Sequence, residues 1–316
     1  MNKPRAVRRD VNGILLLDKP LGLTSQQAVS KVKWLFSARK AGHTGTLDPR
    51  ASGLLPIGLG EATKFSQFLL DAEKGYLASL RLGATTNTGD SEGEILQQRP
   101  VSVTVDDIAR VLPQFIGAQT QTPPMHSALK VAGKPLYSFA RAGITIERQP
   151  RSIVINKIQV IDYKENILDI QVKCSKGTYI RVLAEDIGEA LGCGAHLAAL
   201  TREIAGGFTL CQAVSFEALE ALPLADRMAQ LLPIDAFATS LDRMSLDPEQ
   251  ARRITTGLAV PQTGVVDGSY RLYGVGEVFL GVGTVEDGVL KARRLTSQLP
   301  GIEQMENCLS NPEVTG

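Results

Sequence analysis

Cysteine is scarce and scattered in this chain. Cys174, Cys193, Cys211 and Cys308 lie far apart and no C-x-x-C pair occurs. That excludes a disulfide framework and the common thiol redox motif. The three histidines, His43, His126 and His196, form no ligand-like pair, so no zinc site is expected. Long apolar runs are missing as well. The run at 14–17 stops at Asp18, too short for a signal peptide, and no segment approaches the roughly 20 residues of a membrane span. A cytoplasmic protein with no membrane partner is expected. G-x-x-x-x-G-K-[ST] is absent, and Gly58 and Gly60 lack the third glycine of G-x-G-x-x-G. A nucleotide phosphate cradle therefore has little support.

A strong net charge is also absent, at +1 overall, yet the charge is unevenly placed. Residues 1–50 carry ten Lys/Arg against Asp10, Asp18 and Asp48, and residues 121–160 carry six against Glu147 alone. Residues 211–250 reverse this, with Arg227 and Arg243 against seven acids, and 302–316 hold three Glu and no base. Clustered base on a neutral chain points to a polyanion partner, although a solvated surface gives the same pattern. With 316 residues, of which 43% are hydrophobic, the chain can bury a large domain and a small one.

Periodicity places the elements. GILLLDKP reads as a strand ending at Pro20. Thr24 or Ser25 then caps a helix with Ala28, Val32, Leu35 and Phe36 on its apolar face. A second helix is expected near Glu61, burying Phe65, Phe68 and Leu69. Tyr76, Ala78, Leu80 and Leu82 alternate as in a half-buried strand. A further helix is expected from about 105 to 112. Strands follow at 153–161 and 167–174, then a helix carrying Ile180, Leu183, Ile187 and Leu191, with Gly192 past its end. Between them, 121–151 mixes prolines, glycines, bases and the aromatics Tyr137 and Phe139, which suggests a long functional insertion that orders on a partner. From about 215 an acidic, Pro-punctuated stretch leads to a β-rich tail beyond 246.

The densest local signal is GHTGTLDPRASGLLPIGLG at 42–60, with five glycines, two prolines and one acid, Asp48. An Asp in such a turn can simply hydrogen-bond its own backbone. Arg181 argues for more. It is expected about three residues into a helix capped by Thr178, where a cation faces the positive helix end at a cost of about 0.3–1 kcal/mol if exposed. A cation so placed implies a nearby anion. An Asp held by an Arg stays ionised at neutral pH and can act as nucleophile or base. Tyr76 and Tyr179 sit at element ends, where an aromatic can stack a splayed-out base, although core filling explains a strand Tyr equally well. His43 could serve as a base or fill a gap. His196 reads as structural.

Four ordered motifs, GHTGTLDPRASGLLPIGLGEATK, DKPLGLTS, PPMHSALK and SKGTYIRVLAEDIG, together resemble the TruB-type family of bacterial transfer RNA pseudouridine-55 synthases. The likeness covers residues 12 to about 210. The stretch 270–296 is similar to the PUA-like RNA-binding domain that follows in that family. The resemblance implies an α+β fold, with a central mixed, largely antiparallel sheet flanked by helices and a small C-terminal β-rich PUA-like domain. It also implies two units: a catalytic domain over 1–245 with its RNA-binding insertion at about 121–151, and an RNA-binding domain with an acidic tail over 246–316.

The implied reaction is isomerisation of one T-loop uridine of tRNA, with no cofactor and no metal, by a monomer; a second role in assisting tRNA folding is compatible with the sequence. Asp48 would be the catalytic aspartate, attacking C1′ or removing the C2′ proton. Arg181 would orient it, and Tyr76 would stack on the target base and assist at C5. Tyr179 and Leu200 would line the uracil pocket, and His43 would fill the space the nucleotide leaves. Lys64, which closes the first motif, and Lys130, which closes the third, would bind substrate. The glycines would let the backbone approach a flipped nucleotide, and the prolines would stiffen the loop. The chain departs from the family at PRASG, at His126 where an aromatic is common, and at Thr201 and Glu203 where two bases are usual. Two other classes compete. A non-catalytic RNA-binding protein predicts loss of Asp48 or Arg181. A glycosidase needs a second acid beside Asp48, and none is evident near that motif.

Overall fold

A computed structural model describes residues 8–131 and 133–297; the acidic stretch 302–316 and Cys308 lie outside them. The protein is α+β, built on a nine-stranded mixed sheet and a five-stranded C-terminal sheet. Along the main path of the large sheet the strands run Gly13–Lys19, Ala51–Leu59, Ala195–Ala205, Lys74–Leu82, Ile167–Cys174, Arg151–Lys164 and Gly117–Gln121. Every neighbouring pair on this path is antiparallel except Ala51–Leu59 with Ala195–Ala205.

Burial explains the apolar runs. In Gly13–Lys19, Leu15 and Leu17 face a core built with Ala28 and Val32 of the helix Ser25–Leu35 and with Phe36 at its C-cap, while Ile14 and Leu16 face another with Phe65, Phe208 and Phe237. A strand covered on both faces loses the polar half of its alternation. The strand Ile167–Cys174 keeps it: Leu168, Ile170, Val172 and Cys174 are fully buried against the helix Ile180–Ala190. The five-stranded sheet packs on Phe65 through Phe279, whose ring centroid lies 5.2 Å away.

Several expectations need correction. Thr178 does not cap the helix Ile180–Ala190. Its hydroxyl donates to the Ser175 carbonyl, and Tyr179 occupies the cap position without a side-chain cap. Arg181 is therefore the second helical residue. Within the C-terminal unit, Pro248–Thr255 forms a helix with a complete capping box, Asp247 with Gln250. Only Ala251 and Ile254 of that helix are buried, so its apolar signal is faint. The insertion holds the helix Leu136–Arg141, with Leu136 fully buried, and a short hairpin of Lys130–Val131 with Lys134–Pro135.

Candidate active site

The parallel junction in the large sheet sets the site. There Leu200 pairs with Ala51 and Arg202 with Gly53, so the loop just before Ala51 lies over the strand Ala195–Ala205. Ser25, the first residue of its helix, pins that loop. Its hydroxyl donates to the Leu47 carbonyl at 2.9 Å and accepts from the Leu47 N–H at 2.8 Å. Gly22 N–H donates to the Pro49 carbonyl at 2.8 Å, and Ala51 N–H to the Asp48 carbonyl at 3.0 Å. The motif DKPLGLTS thus serves the Asp48 loop. Its rigidity comes from these bonds at least as much as from the prolines.

Asp48 opens into a cavity of about 270 Å³ whose lining includes Tyr76, Tyr179, Arg181, Leu200 and Arg202. The five residues singled out as catalytic or uracil-lining therefore share one hollow at the small end of ligand-pocket volumes. Arg181 Nη2 lies 3.2 Å from Asp48 Oδ2, and Nη1 lies 3.4 Å from Asp90 Oδ2. The same guanidinium donates to the carbonyls of His126 at 2.6 Å and Thr88 at 3.1 Å. A nearly buried cation held from four sides has little freedom. Gln121 fixes Tyr179: its amide oxygen accepts from the Tyr179 N–H at 2.7 Å, and its amide nitrogen donates to the Tyr179 carbonyl at 3.1 Å.

Half of the Asp48 side chain stays open to solvent, yet desolvation by the protein around it pushes the carboxyl above the usual carboxylate range; Arg181 pulls it back, Asp90 and Glu92 push it further up, and Lys19 opposes them. The Arg181 contact is thus second to desolvation. Burial also raises the Tyr76 phenol, with Arg202 opposing, and lowers the His43 imidazole, with Arg202 adding to the effect. Lys19 is wholly buried and its ammonium, lowered by burial to about 8, donates to the carbonyls of Pro20 and Leu23.

The other expected residues lie apart. His43 lines an adjoining cleft of about 480 Å³ that shares Asp48 and Arg181 with the first cavity, and its Nδ1 accepts from the Gly45 N–H at 3.3 Å. Lys64 is ion-paired to Glu61 at 2.8 Å and donates to Ser297 Oγ at 2.6 Å. Lys130 is exposed on the insertion hairpin and lines neither hollow. His196 meets the Ala84 carbonyl at 2.9 Å, away from the cavity.

Two site residues escaped the sequence. Asp90 sits 42 positions from Asp48 in a turn with no motif of its own. Arg202 lies in LTRE, where attention falls on its neighbours. Three of the motif's five glycines have a packing role. A Cβ on Gly53 would meet the Arg202 backbone, one on Gly58 the Phe237 ring, and one on Gly60 Asn12 and Val11. These three admit protein neighbours, whereas Gly45 lines the cavity. Among the described residues no cluster of three or more His, Cys, Asp or Glu could hold a metal, and no helix is long and apolar enough to cross a membrane.

Comparison with known proteins shows the family. Residues 33–180 match the N-terminal domain of the TruB family of pseudouridylate synthases, 181–245 a tRNA pseudouridylate synthase B C-terminal domain, and 243–296 the C-terminal domain of pseudouridine synthase II TruB. A tRNA pseudouridine synthase B of Azoarcus sp. (strain BH72) is 51% identical over 296 residues, 93% of this chain and 98% of that one. Another, of Pseudomonas putida (strain GB-1), is 49% identical over 309 residues, 93% and 99% of the two chains. Among solved structures, a chain of a Cbf5–Nop10–Gar1 complex is 25% identical with a TM-score of 0.70, covering 90% of this chain and 84% of that one.

Proposed function

Since the chain belongs to the TruB family of pseudouridylate synthases, we propose that it isomerises one uridine of the tRNA T-loop, at position 55, to pseudouridine. The observation that carries the reading is the Asp48–Arg181 ion pair at 3.2 Å, set in a hollow with Tyr76, Tyr179 and Leu200. Asp48 acts on the sugar, Arg181 holds it, Tyr76 stacks the base, and Tyr179 and Leu200 close the uracil pocket. The N1–C1′ bond breaks and a C5–C1′ bond forms. C5 loses its proton and N1 gains one, so the isomerisation balances without an oxidant, reductant or co-substrate. Attack at C1′ and removal of the C2′ proton use the same carboxylate.

The target must leave its stack to reach this hollow, at a cost of a few kcal/mol that is least in a loop. His43, which lines the adjoining cleft, fills the space left behind. Lys130, outside both hollows, contacts the RNA backbone, Lys64 does so only by leaving Glu61 and Ser297, and the insertion closes over the T-arm. The protein acts as a monomer in the cytoplasm, with a catalytic unit over 1–245 and an RNA-binding unit beyond 246; the five-stranded sheet is compatible with a PUA-like module. Help with tRNA folding fits the same surface.

Glycoside hydrolysis is less well supported, although Asp90 is a second acid near Asp48. Its Oδ1 accepts from Thr88 Oγ1 at 2.6 Å and the Glu92 N–H at 3.1 Å, and Oδ2 faces Arg181. An acid so engaged has no proton directed at a leaving group. Incubation with an unmodified tRNA transcript, followed by chemical mapping, tests the proposal. Pseudouridine at the T-loop position is expected; its absence, or its appearance elsewhere, would refute the assignment.

A further inference from the structure

Arg202 heads the fully buried side chains by volume, with 2% of its surface exposed. It stands on the strand Ala195–Ala205 between the two halves of the site. On one side it pairs with Tyr76, on the other with Gly53. Its Nε donates to the Leu54 carbonyl at 2.8 Å, and its Nη2 to the Gly45 carbonyl at 3.2 Å. Two glycines flanking Asp48, Gly45 in its loop and Gly53 in the strand that follows, lie against it. At Gly45 (φ +134°) a Cβ would lie 3.6 Å from Nη1, and at Gly53 (φ +97°) it would lie 2.4 Å from the Arg202 carbonyl oxygen. The second contact is impossible for any residue but glycine.

A surface cation would cost less than this one, because a buried guanidinium needs its donors met. Here backbone carbonyls on both sides of Asp48 take its Nε and Nη2. The fork therefore spans Gly45, before the acid, and Leu54, after it, from a residue registered opposite Tyr76. Resting on the reading of Asp48 and Tyr76 above, we propose that Arg202 is a positioning residue of the reaction. It clamps the Asp48 loop to the strand that carries Tyr76 and so fixes the carboxylate relative to the ring on which the base stacks. A lysine could keep the charge but not the two-carbonyl fork. Arg202 also holds the Tyr76 phenol lower than burial alone would, which supplies a signature that packing by itself would not give.

The test uses the full chain, an unmodified tRNA transcript, and the variants R202M and R202K. Dissociation constant, single-turnover rate, thermal midpoint and the pH titration of 13Cζ-labelled Tyr76 are measured for each. For R202M the expected results are an affinity within about threefold of wild type, a rate about 100-fold lower, and a Tyr76 titration moved to higher pH. R202K is expected to recover about tenfold of the rate. An R202M rate within threefold of wild type would overturn the proposal. So would a rate loss that follows RNA affinity or the folded fraction while the Tyr76 titration stays in place. If R202M does not fold, R202K decides: a wild-type rate there shows that the fork is dispensable. A wild-type protein that forms no pseudouridine on the same transcript overturns the functional reading first, before any variant is compared.

Discussion

The two walls of the cavity are built on opposite principles. One comes from the large sheet: the Asp48 loop, Tyr76, Leu200 and Arg202. Ser25, Lys19 and Arg202 are buried there and tied to backbone, while half of the Asp48 side chain stays open to solvent. The other comes from the insertion: Ser127 and Ala128 in the cavity, then Tyr137 and Arg141 along the cleft. It buries Gln121, Pro123, Ser127 and Leu136, while Lys130, Tyr137 and Arg141 are exposed. Small displacements of a reacting group cost much rate, whereas phosphate contacts tolerate movement. The first wall suits chemistry and the second suits capture. If so, substitutions on the first should act on rate and those on the second on affinity.

The largest effect is expected from Asp48→Asn. It keeps the shape of the loop and removes the charge, so affinity for tRNA should stay within about threefold. Single-turnover product formation should fall by at least about 10³-fold. Product at near-native rate would remove Asp48 from the chemistry and with it the contrast between the walls.

Arg181→Met comes next, with a rate loss of about 10²–10³-fold. Because Arg181 draws the Asp48 carboxyl down, its removal lets that carboxyl rise further. The acid limb of the pH–rate profile, where Asp48 must be ionised, should therefore move to higher pH. A limb that stays in place or moves down would show that the pair is not coupled in the working enzyme.

These expectations draw unequally on what the sequence disclosed. Alternating Leu168, Ile170, Val172 and Cys174 announce their strand, because one face meets a helix. The Asp48 and Arg181 motifs were legible too, since rigid turns and misplaced charges leave local marks. What stayed hidden depends on long-range register. Nothing local says that 200–202 runs parallel to 51–53, so Arg202 looked like one base in LTRE. Asp90 was hidden for the same reason. The helix Pro248–Thr255 was legible in principle through its Asp247–Gln250 capping box and leading proline, but two buried residues make a weak stripe.

On the capture wall, Lys130→Glu combined with Arg141→Glu should weaken tRNA binding. The log–log salt slope should drop by about 0.7–0.9 for each phosphate that is no longer neutralised, while the rate at saturating RNA stays within about threefold. An unchanged slope would show that these residues do not touch the RNA. Hydrogen exchange should show the same division with a smaller signal. Protection across 122–130 and 142–150, which lie mostly outside helices and strands, should rise on adding tRNA, while Lys74–Leu82 changes little. Equal protection with and without RNA would make the insertion a standing part of the scaffold.

The smallest effect separates the walls by stability. The folded protein holds the Asp48 carboxyl above its ordinary range, whereas the unfolded chain titrates it near about 3.9. Between those two pH values the folded state binds more protons than the unfolded one, so this group's contribution to stability falls as pH rises through the window. It is fully present only below the unfolded value and lost above the folded one, and solvent at the half-exposed side chain keeps it small. Asp48→Asn has no such proton. Its stability relative to wild type should therefore rise with pH across that window, by a slope of at most one proton, and then level off. Denaturant unfolding from pH 4 to 7 reads this difference directly. Lys130→Ala on the opposite wall is the control, since its exposed side chain should give a flat difference. A flat curve for Asp48→Asn would mean that the carboxylate is solvated well enough to need no enclosure, and that the first wall is no stricter than the second.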